Sequence, residues 1–454
     1  MFDELARLLA RADADYADVR YEVKRETDIR FAGLELTGLS ASAADGYVVR
    51  VLKDGGFASV AFTRPADGEA ALATATANAQ LIGRMGREPM RLADSEVVQD
   101  EVRPALDEDP RALSIEEKLE LLRTYNNIAL AHPQVATTSL GYSDLIREKY
   151  FLSTEGSRLR EDLVTVRISG GITTRDGSLT QTVRLGMGGS DGLGRLRGRE
   201  ALVEERKKLA VDLLRAEPVQ GGTYRAVLNQ RLAGVFTHEA FGHFSEADLI
   251  EDSPTMREKM QLGSAFGTGV LSIQDDPTLP AQLGHYRYDD EGVRARPTQL
   301  MKDGVLAGRL HSRRTAAAFG EPLSGHCSAE DYRYPPIIRM GTIFIEPGAD
   351  TFESLLERLG DGLYLVDAVG GQTAGENFTF GAQCGFEVKG GRRGKMLRDI
   401  NIAGNLYSTM KNITGVAGDL EMGEVGGCGK GQLNVRSCYG APHVLVENVV
   451  IGGR

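Results

Sequence analysis

Residues 47–62 read Tyr-Val-Val-Arg-Val-Leu-Lys-Asp-Gly-Gly-Phe-Ala-Ser-Val-Ala-Phe. Two runs rich in β-branched and aromatic residues flank Asp54-Gly-Gly56, a pattern typical of a β-hairpin. A third run, Val19–Lys24, alternates apolar and polar side chains with a period of two, as a half-buried strand does. Because tight hairpins join antiparallel neighbours, these segments predict an antiparallel sheet early in the chain.

Helical patterns lie in blocks of their own. The sequence predicts four helices in the first half of the chain. They are an amphipathic segment at about 2–12, an Ala-rich segment at 68–85, a segment at 114–131 that begins with the capping-box pattern Ser114-Ile-Glu-Glu117, and a charged segment at 199–215. Hairpins with segregated helices, without the regular alternation of a parallel sheet, indicate an α+β fold with antiparallel sheets.

The segment Ala216–Gly222 has the Pro and Gly content of a linker. We therefore predict two domains, an N-terminal α+β domain at 1–215 and a β-rich domain at 221–454. Many of the 55 glycines lie in the second domain and indicate short strands joined by turns. Its later part has one clear helix, at Thr351–Arg358. In the first domain the acidic stretch Asp94–Pro110 is predicted to be a solvated connector.

The chain is acidic, with 53 Lys and Arg against 64 Asp and Glu and a formal net charge of −11. This balance argues against a broad basic surface, so no nucleic-acid partner is predicted. Four irregularly spaced cysteines make no disulfide framework and fit a reducing compartment. The first residues lack the features of a signal peptide, and no apolar run approaches about 18 residues. A cytoplasmic protein without a membrane span is predicted.

The most specific chemical signal is His238-Glu-Ala-Phe-Gly-His243. Two neutral imidazoles can hold a metal ion, and a glutamate beside them can take a proton from a metal-activated water. The histidines are five positions apart, so on a regular α-helix they would point about 140° apart. Both reach one ion only if the helix widens into a π-type turn or unwinds at Gly242. We predict a distorted or ending helix at 238–243, with Glu239 as general base.

A catalytic zinc ion usually has three protein ligands, so a third residue is needed. Cys428 lies in Gly-Gly-Cys-Gly-Lys-Gly, where the glycines leave a thiolate uncovered and Lys430 would favour its charge. Chemistry alone leaves the choice open, because a free cysteine is most often a small buried apolar residue. The other candidates are Glu246, Asp248, Cys327, Cys384, Cys438, His285, His311, His326 and His443.

Several runs besides the histidine motif point to a known family. With Ser245–Ser253, Tyr288–Gly292 and Gly426–Lys430, the chain resembles the TldD/PmbA family, whose members were once called putative modulators of DNA gyrase. The motif at 238–243 is similar to that of the TldD type. The PmbA type, also called TldE, lacks it.

The resemblance implies a zinc peptidase. It places Zn²⁺ at the positions of His238, His243 and Cys428, with Glu239 as general base. It also implies proteolysis of peptides or unfolded protein segments, by a homodimer or by a heterodimer with a PmbA/TldE-type paralogue.

Two other functions compete with this interpretation. A non-catalytic peptide-binding or scaffold subunit would carry a structural metal ion, which needs a fourth protein ligand such as Glu246, Asp248 or His443. A serine hydrolase is suggested formally by Gly188-Gly-Ser-Asp-Gly192. A nucleophile elbow, however, needs a helix directly after its serine, and further glycines follow Ser190 instead.

Overall fold

The fold combines helices with mainly antiparallel sheets, which confirms the predicted α+β class. A computed structural model describes residues 1–86, 88–433 and 435–452. In those three segments no helix is both long and apolar enough to cross a lipid bilayer. The division into domains at 1–215 and 221–454 stays a prediction.

A seven-stranded sheet forms the first half. Asp54 and Gly55 take φ angles of 53° and 76° in the turn of the predicted hairpin, as a two-residue turn requires. The connector prediction is wrong in part, because the acidic stretch contributes a strand parallel to its neighbour. The spatial order is β3 (Gly56–Phe62), β2 (Glu35–Lys53), β1 (Tyr16–Ala32), β5 (Val135–Ser153), β6 (Arg158–Asp176) and β4 (Gln99–Val102), and β7 (Leu179–Gly189) also pairs with β6.

All four helices predicted for this half are present. The predicted capping box forms: Ser114 Oγ accepts a hydrogen bond from Glu117 N at 3.2 Å, and the Glu117 carboxylate accepts one from Ser114 N at 2.8 Å. Buried side chains such as Leu72 and Leu122 pack the helices on the sheet. The helices are α1 (Phe2–Leu9), α2 (Gly68–Met85), α3 (Ile115–Leu130) and α4 (Glu200–Leu213).

A closed ring of five strands organises the second half. The ring runs β16 (Gly362–Ala374), β9 (Gly222–Leu228), β23 (Val444–Gly452), β19 (Ile400–Asn405) and β17 (Asn377–Lys389), and β17 pairs back to β16. The strands β18 (Arg392–Arg398), β8 (Glu217–Pro218) and β20 (Ile413–Val416) extend this sheet. Closure leaves no open edge within the ring itself.

Two further sheets and six helices make up the rest of the second half within the described residues. The predicted helix at 351–358 is present, but two others near it were missed because six or seven residues are too few to show a helical period. One sheet runs β12 (Val305–Leu306), β11 (Thr298–Lys302), β10 (Ile273–Asp275), β15 (Thr342–Ile345), β22 (Cys438–Ala441) and β21 (Glu421–Met422), and β13 (Cys327–Ser328) pairs with β14 (Ile337–Ile338). The helices are α5 (Gln230–Phe236), α6 (Ala247–Glu251), α7 (Pro254–Lys259), α8 (Arg313–Phe319), α9 (Phe352–Leu359) and α10 (Leu406–Lys411).

Buried ion pairs join the first sheet to the second half. Arg50 Nη1 lies 3.0 Å from Glu291 Oε1, and Lys149 Nζ lies 3.1 Å from Asp290 Oδ1. Burial raises the pKa of Asp290, but Arg20 and Lys149 outweigh it and hold that pKa below its usual value. Removing one partner from such a pair costs about 3–5 kcal/mol, so separation of the halves is disfavoured.

Candidate metal centre

The helix that carries the histidine motif is anchored at its start. The Asn229 side chain accepts a hydrogen bond from Leu232 N at 3.0 Å and caps α5 directly after β9. The Phe236 ring packs edge-on against Phe378 and Phe380 of β17, with centroids 5.4 and 5.9 Å away. These contacts fix α5 against the strand ring.

The helical form changes at the motif, which confirms the predicted distortion. α5 continues as a π-helix at Thr237–Phe241 and then as a 3-10 helix at Gly242–Ser245. A π turn joins residue i to residue i+5, so residues with this spacing lie on one face. His238 and His243 have this spacing, and their ring centroids are 5.4 Å apart.

Gly242 lies at the junction of the two helical forms, and a side chain there has no room. An added Cβ would lie 2.1 Å from Met340 Sδ and 3.0 Å from Ile343 Cδ1. We expect Gly242→Ala to lower the free energy of unfolding by about 1–3 kcal/mol through overpacking. It should also reduce metal content, because the displaced segment carries His243.

Urea unfolding and elemental analysis measure both effects of this substitution. Gly269→Ala is the control, because an added Cβ at Gly269 meets no atom within 4 Å. It should change the free energy of unfolding by less than about 0.5 kcal/mol. Equal behaviour of the two variants would contradict the packing argument.

Cys428 reaches the motif from a distant part of the sequence. Backbone hydrogen bonds of 3.1 and 3.3 Å pair it with Val435. Its Sγ lies 3.3 Å from His243 Nε2. Zinc bonds of about 2.3 Å to sulfur and 2.1 Å to nitrogen would separate these atoms by about 3.6 Å in a tetrahedral site. The described residues contain one group of three or more His, Cys, Asp or Glu side chains whose ligand atoms all lie within 4.8 Å of one another. It consists of His238, His243 and Cys428.

His238 provides a test of whether a metal ion fits. The residue is 5% exposed, and its Nδ1 finds no hydrogen-bond partner within the described part of the chain. An unpaired buried polar atom costs about 1–3 kcal/mol, a cost that coordination would remove. Burial, and then the charges of His243 and Arg339, lower the pKa of His238 to about 3. Its imidazole is therefore neutral, as a metal ligand must be.

Glu246 orients His243. The His243 Nδ1 lies 3.0 Å from Glu246 Oε2, which also accepts a hydrogen bond from Lys430 Nζ at 3.0 Å. A proton on Nδ1 leaves Nε2 free on the side of Cys428, as in many metal-binding histidines. Burial lowers the pKa of His243, but hydrogen bonds with Cys428 and Glu246 outweigh it and raise that pKa to about 10. Metal binding at Nε2 would therefore release a proton.

The alternative ligands have other partners. Lys430 was expected to favour a charged sulfur at Cys428, but its ammonium instead bonds the carboxylates of Glu246 and Asp248, the latter at 2.7 Å. Both acids are thereby occupied by a cation. The remaining candidates are His285, bonded to Pro277 O; His311, to Glu321; His326, to Asp275; His443, to Asp419; Cys438, to Gly423 O; and the buried Cys327 and Cys384.

Glu239 follows His238 directly and is half-buried. Burial raises the pKa of its carboxyl, and the charges of His243 and Arg339 offset this only in part. A raised pKa brings a carboxylate closer to the range of an efficient general base. The backbone oxygen of Glu239 accepts a hydrogen bond from Thr373 Oγ1 at 3.2 Å, which ties the π-helix to β16.

Arg339 is a charged residue near the centre that the sequence did not reveal. It is 1% exposed, and its Nη1 donates to Lys430 O at 3.3 Å. Its Nη2 has no hydrogen-bond partner among the described residues. Burial raises the pKa of Glu246, but the hydrogen bond with His243 and the charge of Lys430 outweigh it, and the charge of Arg339 adds a smaller contribution in the same direction. The same charge partly offsets the effect of burial on the pKa of Glu239. A lone arginine carries no sequence signal, and only the tertiary fold brings it here.

Ser190 lies in a structural contact. Its Oγ donates to Gln282 O at 2.7 Å, and its N donates to Ala281 O at 3.1 Å. A serine nucleophile needs a base that accepts the hydroxyl proton, whereas this hydroxyl bonds a backbone carbonyl. The arrangement contradicts the serine hydrolase alternative.

Two imidazoles and a thiol converge beside a half-buried glutamate, on an α+β scaffold. These are the parts that a metallopeptidase needs, namely a set of metal ligands and a base next to them. The comparisons with known proteins agree. Three family models match, described as PmbA/TldA metallopeptidase domain 1 (residues 17–79), central domain (108–214) and C-terminal domain (221–453). The chain belongs to the PmbA/TldD family of metallopeptidases.

Several relatives match over most of their length. A metalloprotease of Synechocystis sp. is 36% identical over 99% of this chain and 97% of its own. A metalloprotease of Methanothermobacter thermautotrophicus is 32% identical over 97% and 96%. A protein named zinc metalloprotease TldD homolog, from Saccharolobus solfataricus, is 30% identical over 74% and 76%. The chain is therefore a metal-dependent peptidase.

Solved structures share the fold. A putative modulator of a DNA gyrase from Thermotoga maritima matches with a TM-score of 0.82 and 21% identity, over 100% of both chains. TldE from Thermococcus kodakarensis matches with a TM-score of 0.80 and 18% identity, over 99% of this chain and 100% of its own. At these identities the likeness establishes the architecture.

Proposed function

We propose that this chain is a zinc peptidase that hydrolyses peptides or unfolded protein segments. His238, His243 and Cys428 would hold the zinc ion, and Glu239 would act as general base. The observation that carries the proposal is the 3.3 Å approach of Cys428 Sγ to His243 Nε2, with His238 completing the group.

The donor set supports zinc as the metal. Imidazole and thiolate together suit zinc, whereas magnesium, calcium and manganese prefer oxygen ligands. The relative from Saccharolobus solfataricus is named a zinc metalloprotease.

The residues around the centre have distinct parts in the proposed reaction. A bound zinc ion would polarise the peptide carbonyl and lower the pKa of a water to about 7. Glu239 accepts the proton of the attacking water and passes it to the leaving amine. Glu246 holds the ring of His243 in place. The burial of His238 keeps its imidazole neutral.

The surroundings favour catalysis over a structural metal ion. A structural zinc site is closed by four protein ligands, whereas a catalytic one keeps a position for water. The two nearby carboxylates that could close the site, Glu246 and Asp248, are bonded to Lys430. Three ligands remain, which supports an open fourth position.

Substrates and partners follow from less specific features. Extended peptides paired along a strand edge would suit a sequence-tolerant peptidase, because main-chain hydrogen bonds do not depend on side chains.

We propose a dimer with a second copy or with a PmbA/TldE-type paralogue. Light scattering of the chain alone, and of the chain mixed with such a paralogue, distinguishes the two. The four free cysteines support a cytoplasmic location, which cell fractionation would test.

Removal of the metal tests the proposed function. Dialysis against a zinc chelator should abolish hydrolysis of an unfolded protein such as reduced casein. About one equivalent of zinc should restore it, and magnesium should not, because it lacks affinity for thiolate. Full activity in protein that elemental analysis shows to be free of metal would overturn the proposal.

A further inference from the structure

A cavity of about 590 Å³ lies between the first sheet and the loop that carries Cys428. Its floor is one face of β1, β5 and β6, and its opposite wall includes Gly426, Gly427 and Val435. Val435 is the backbone partner of Cys428. The cavity therefore lies next to the loop that carries Cys428, the proposed thiol ligand.

Arg167 projects from β6 into this cavity. Its neighbours Val166 and Ile168 are buried in the core on the other face of the strand, so alternation places Arg167 on the cavity side. Its Nη1 donates to Gly426 O at 3.1 Å, and its Nε donates to Ser143 Oγ at 3.4 Å. A guanidinium has five N–H donors, so these two bonds leave three for another partner.

Arg436 reaches the same cavity from the opposite wall. It donates to Thr165 Oγ1 at 2.9 Å, to His285 O at 3.1 Å and to Val164 O at 3.4 Å. Thr165 lies two residues before Arg167 and so faces the same side of β6. The two guanidiniums therefore lie at the same short part of β6, around Thr165 and Arg167.

Neither arginine has a carboxylate within ion-pair distance among the described residues. Burial lowers the pKa of Arg167, and Asp28 offsets this only in part. Burial, and then the charge of Arg147, lowers the pKa of Arg436 to about 10. Arg167 is half-buried, so it is reachable and incompletely solvated, whereas the guanidinium of Arg436 lies deeper and is held by three protein oxygens.

Three of the four acidic residues that line the cavity have a cation as partner. Lys118 lies 2.7 Å from Asp144, Lys24 lies 3.1 Å from Glu26, and Arg30 lies 3.8 Å from Asp28. The fourth, Glu330, has no cation within ion-pair distance among the described residues and accepts a hydrogen bond from the backbone of Leu433 at 2.8 Å. Arg167 and Arg436 together outweigh this one carboxylate, so the cavity has an excess of positive charge.

The cavity is close to the site of hydrolysis. A Cβ built on Gly427 would lie 4.0 Å from Arg167 Nη1, and Gly427 directly precedes Cys428. An extended peptide advances about 3.3 Å per residue, so a group at Arg167 lies within a few residues of a bond cleaved at the metal.

We propose that this cavity is a substrate subsite that binds a carboxylate of the peptide through Arg167, with Arg436 beside it. The carboxylate is either the C-terminus of the peptide or an Asp or Glu side chain close to the cleaved bond. The inference rests on the proposed peptidase function and names the class of substrate that it prefers. The guanidinium of Arg167 suits a carboxylate because its planar group can donate two parallel N–H bonds, and Arg436 adds a second positive charge beside it.

Binding is measured with zinc-loaded Glu239→Gln protein, so that no peptide is consumed. The probes are fluorescent peptides of one sequence: the free acid, the C-terminal amide, and versions of both with Glu or Gln near the centre. The Kd should be at least about tenfold lower for peptides that carry the recognised carboxylate. The acid–amide pair reports the C-terminus, and the Glu–Gln pair reports a side chain.

Arg167→Gln, in the same background, should remove this preference and leave the Kd of the uncharged peptide unchanged. Arg167→Lys should keep part of the preference, because it keeps the charge. Arg175→Gln is the control, since Arg175 is exposed on the same face of β6 and lies outside the cavity. Zinc content close to one per chain in each variant shows that the Cys428 loop is intact.

Three results would overturn the subsite. The first is equal binding of all the peptides. The second is an Arg167→Gln protein that binds the free-acid and the amide peptide more weakly by the same factor. In both cases, cleavage of the amide peptide by the wild type would still support the peptidase function. If the zinc-loaded wild type neither binds nor cleaves any peptide, the proposed function fails and the subsite fails with it.

Discussion

Glu239→Gln is expected to keep the metal and lose turnover. Glutamine has nearly the same shape, but its amide cannot accept a proton, and a positioned general base contributes about 10²–10⁴-fold to a rate. Glu239 is also outside the group of three proposed metal ligands, so zinc content should stay near one per chain. The hydrolysis rate should fall at least about a hundredfold.

Initial rates on reduced casein and elemental analysis of the same samples measure this effect. Glu258→Gln is the matched control, because Glu258 is an exposed glutamate of α7. It should retain both zinc and activity. A Glu239→Gln protein that cleaves within a few-fold of the wild-type rate would show that another group takes the proton.

Loss of a ligand should have the opposite pattern, in which zinc and activity disappear together. We expect Cys428→Ser and His238→Ala to lose most of their zinc, because either change leaves only two of the three proposed ligands. Glu246→Gln should be milder. Glu246 would act on the metal only through His243, and losing such a partner typically weakens metal affinity about 10–100-fold.

Elemental analysis of the three variants, purified side by side, distinguishes a ligand from a residue that orients one. Unchanged zinc in Cys428→Ser would remove Cys428 from the ligand set and return Glu246 and Asp248 to consideration. Peptide hydrolysis by a metal-free His238→Ala protein would contradict the proposed metal-dependent mechanism as a whole.

Local patterns were predictable because local physics decides them. The hairpin at 47–62 follows from alternating strands around Asp54-Gly55, which accept positive φ angles. The helix at 114–131 follows from its capping box. A distortion of the helix was predictable for a chemical reason, because two histidines five apart serve one ion only where the helix widens or unwinds. The sequence left these two forms open, and the structure has the π-turn.

Other features depend on contacts that no local pattern shows. The acidic stretch Gln99–Val102 becomes a strand only because the edge of β6 is there to pair with it. Lys430 bonds Glu246 and Asp248, although its neighbours in sequence suggested a partnership with Cys428. The choice of Cys428 itself came from the family resemblance, since chemistry alone left ten candidates open.

The closed ring of strands also sets the order in which the molecule can be completed during synthesis. β9 leads directly into the helix that carries the histidine motif, and one of its two neighbours in the ring is β23. That strand is made after Cys428, which itself follows His243 by 185 residues. While the ribosome is still adding these residues, the helix lacks both the proposed third ligand and one of its supporting strands. With the proposed ligand set, a nascent chain would therefore have no assembled hydrolytic centre with which to attack itself or its neighbours.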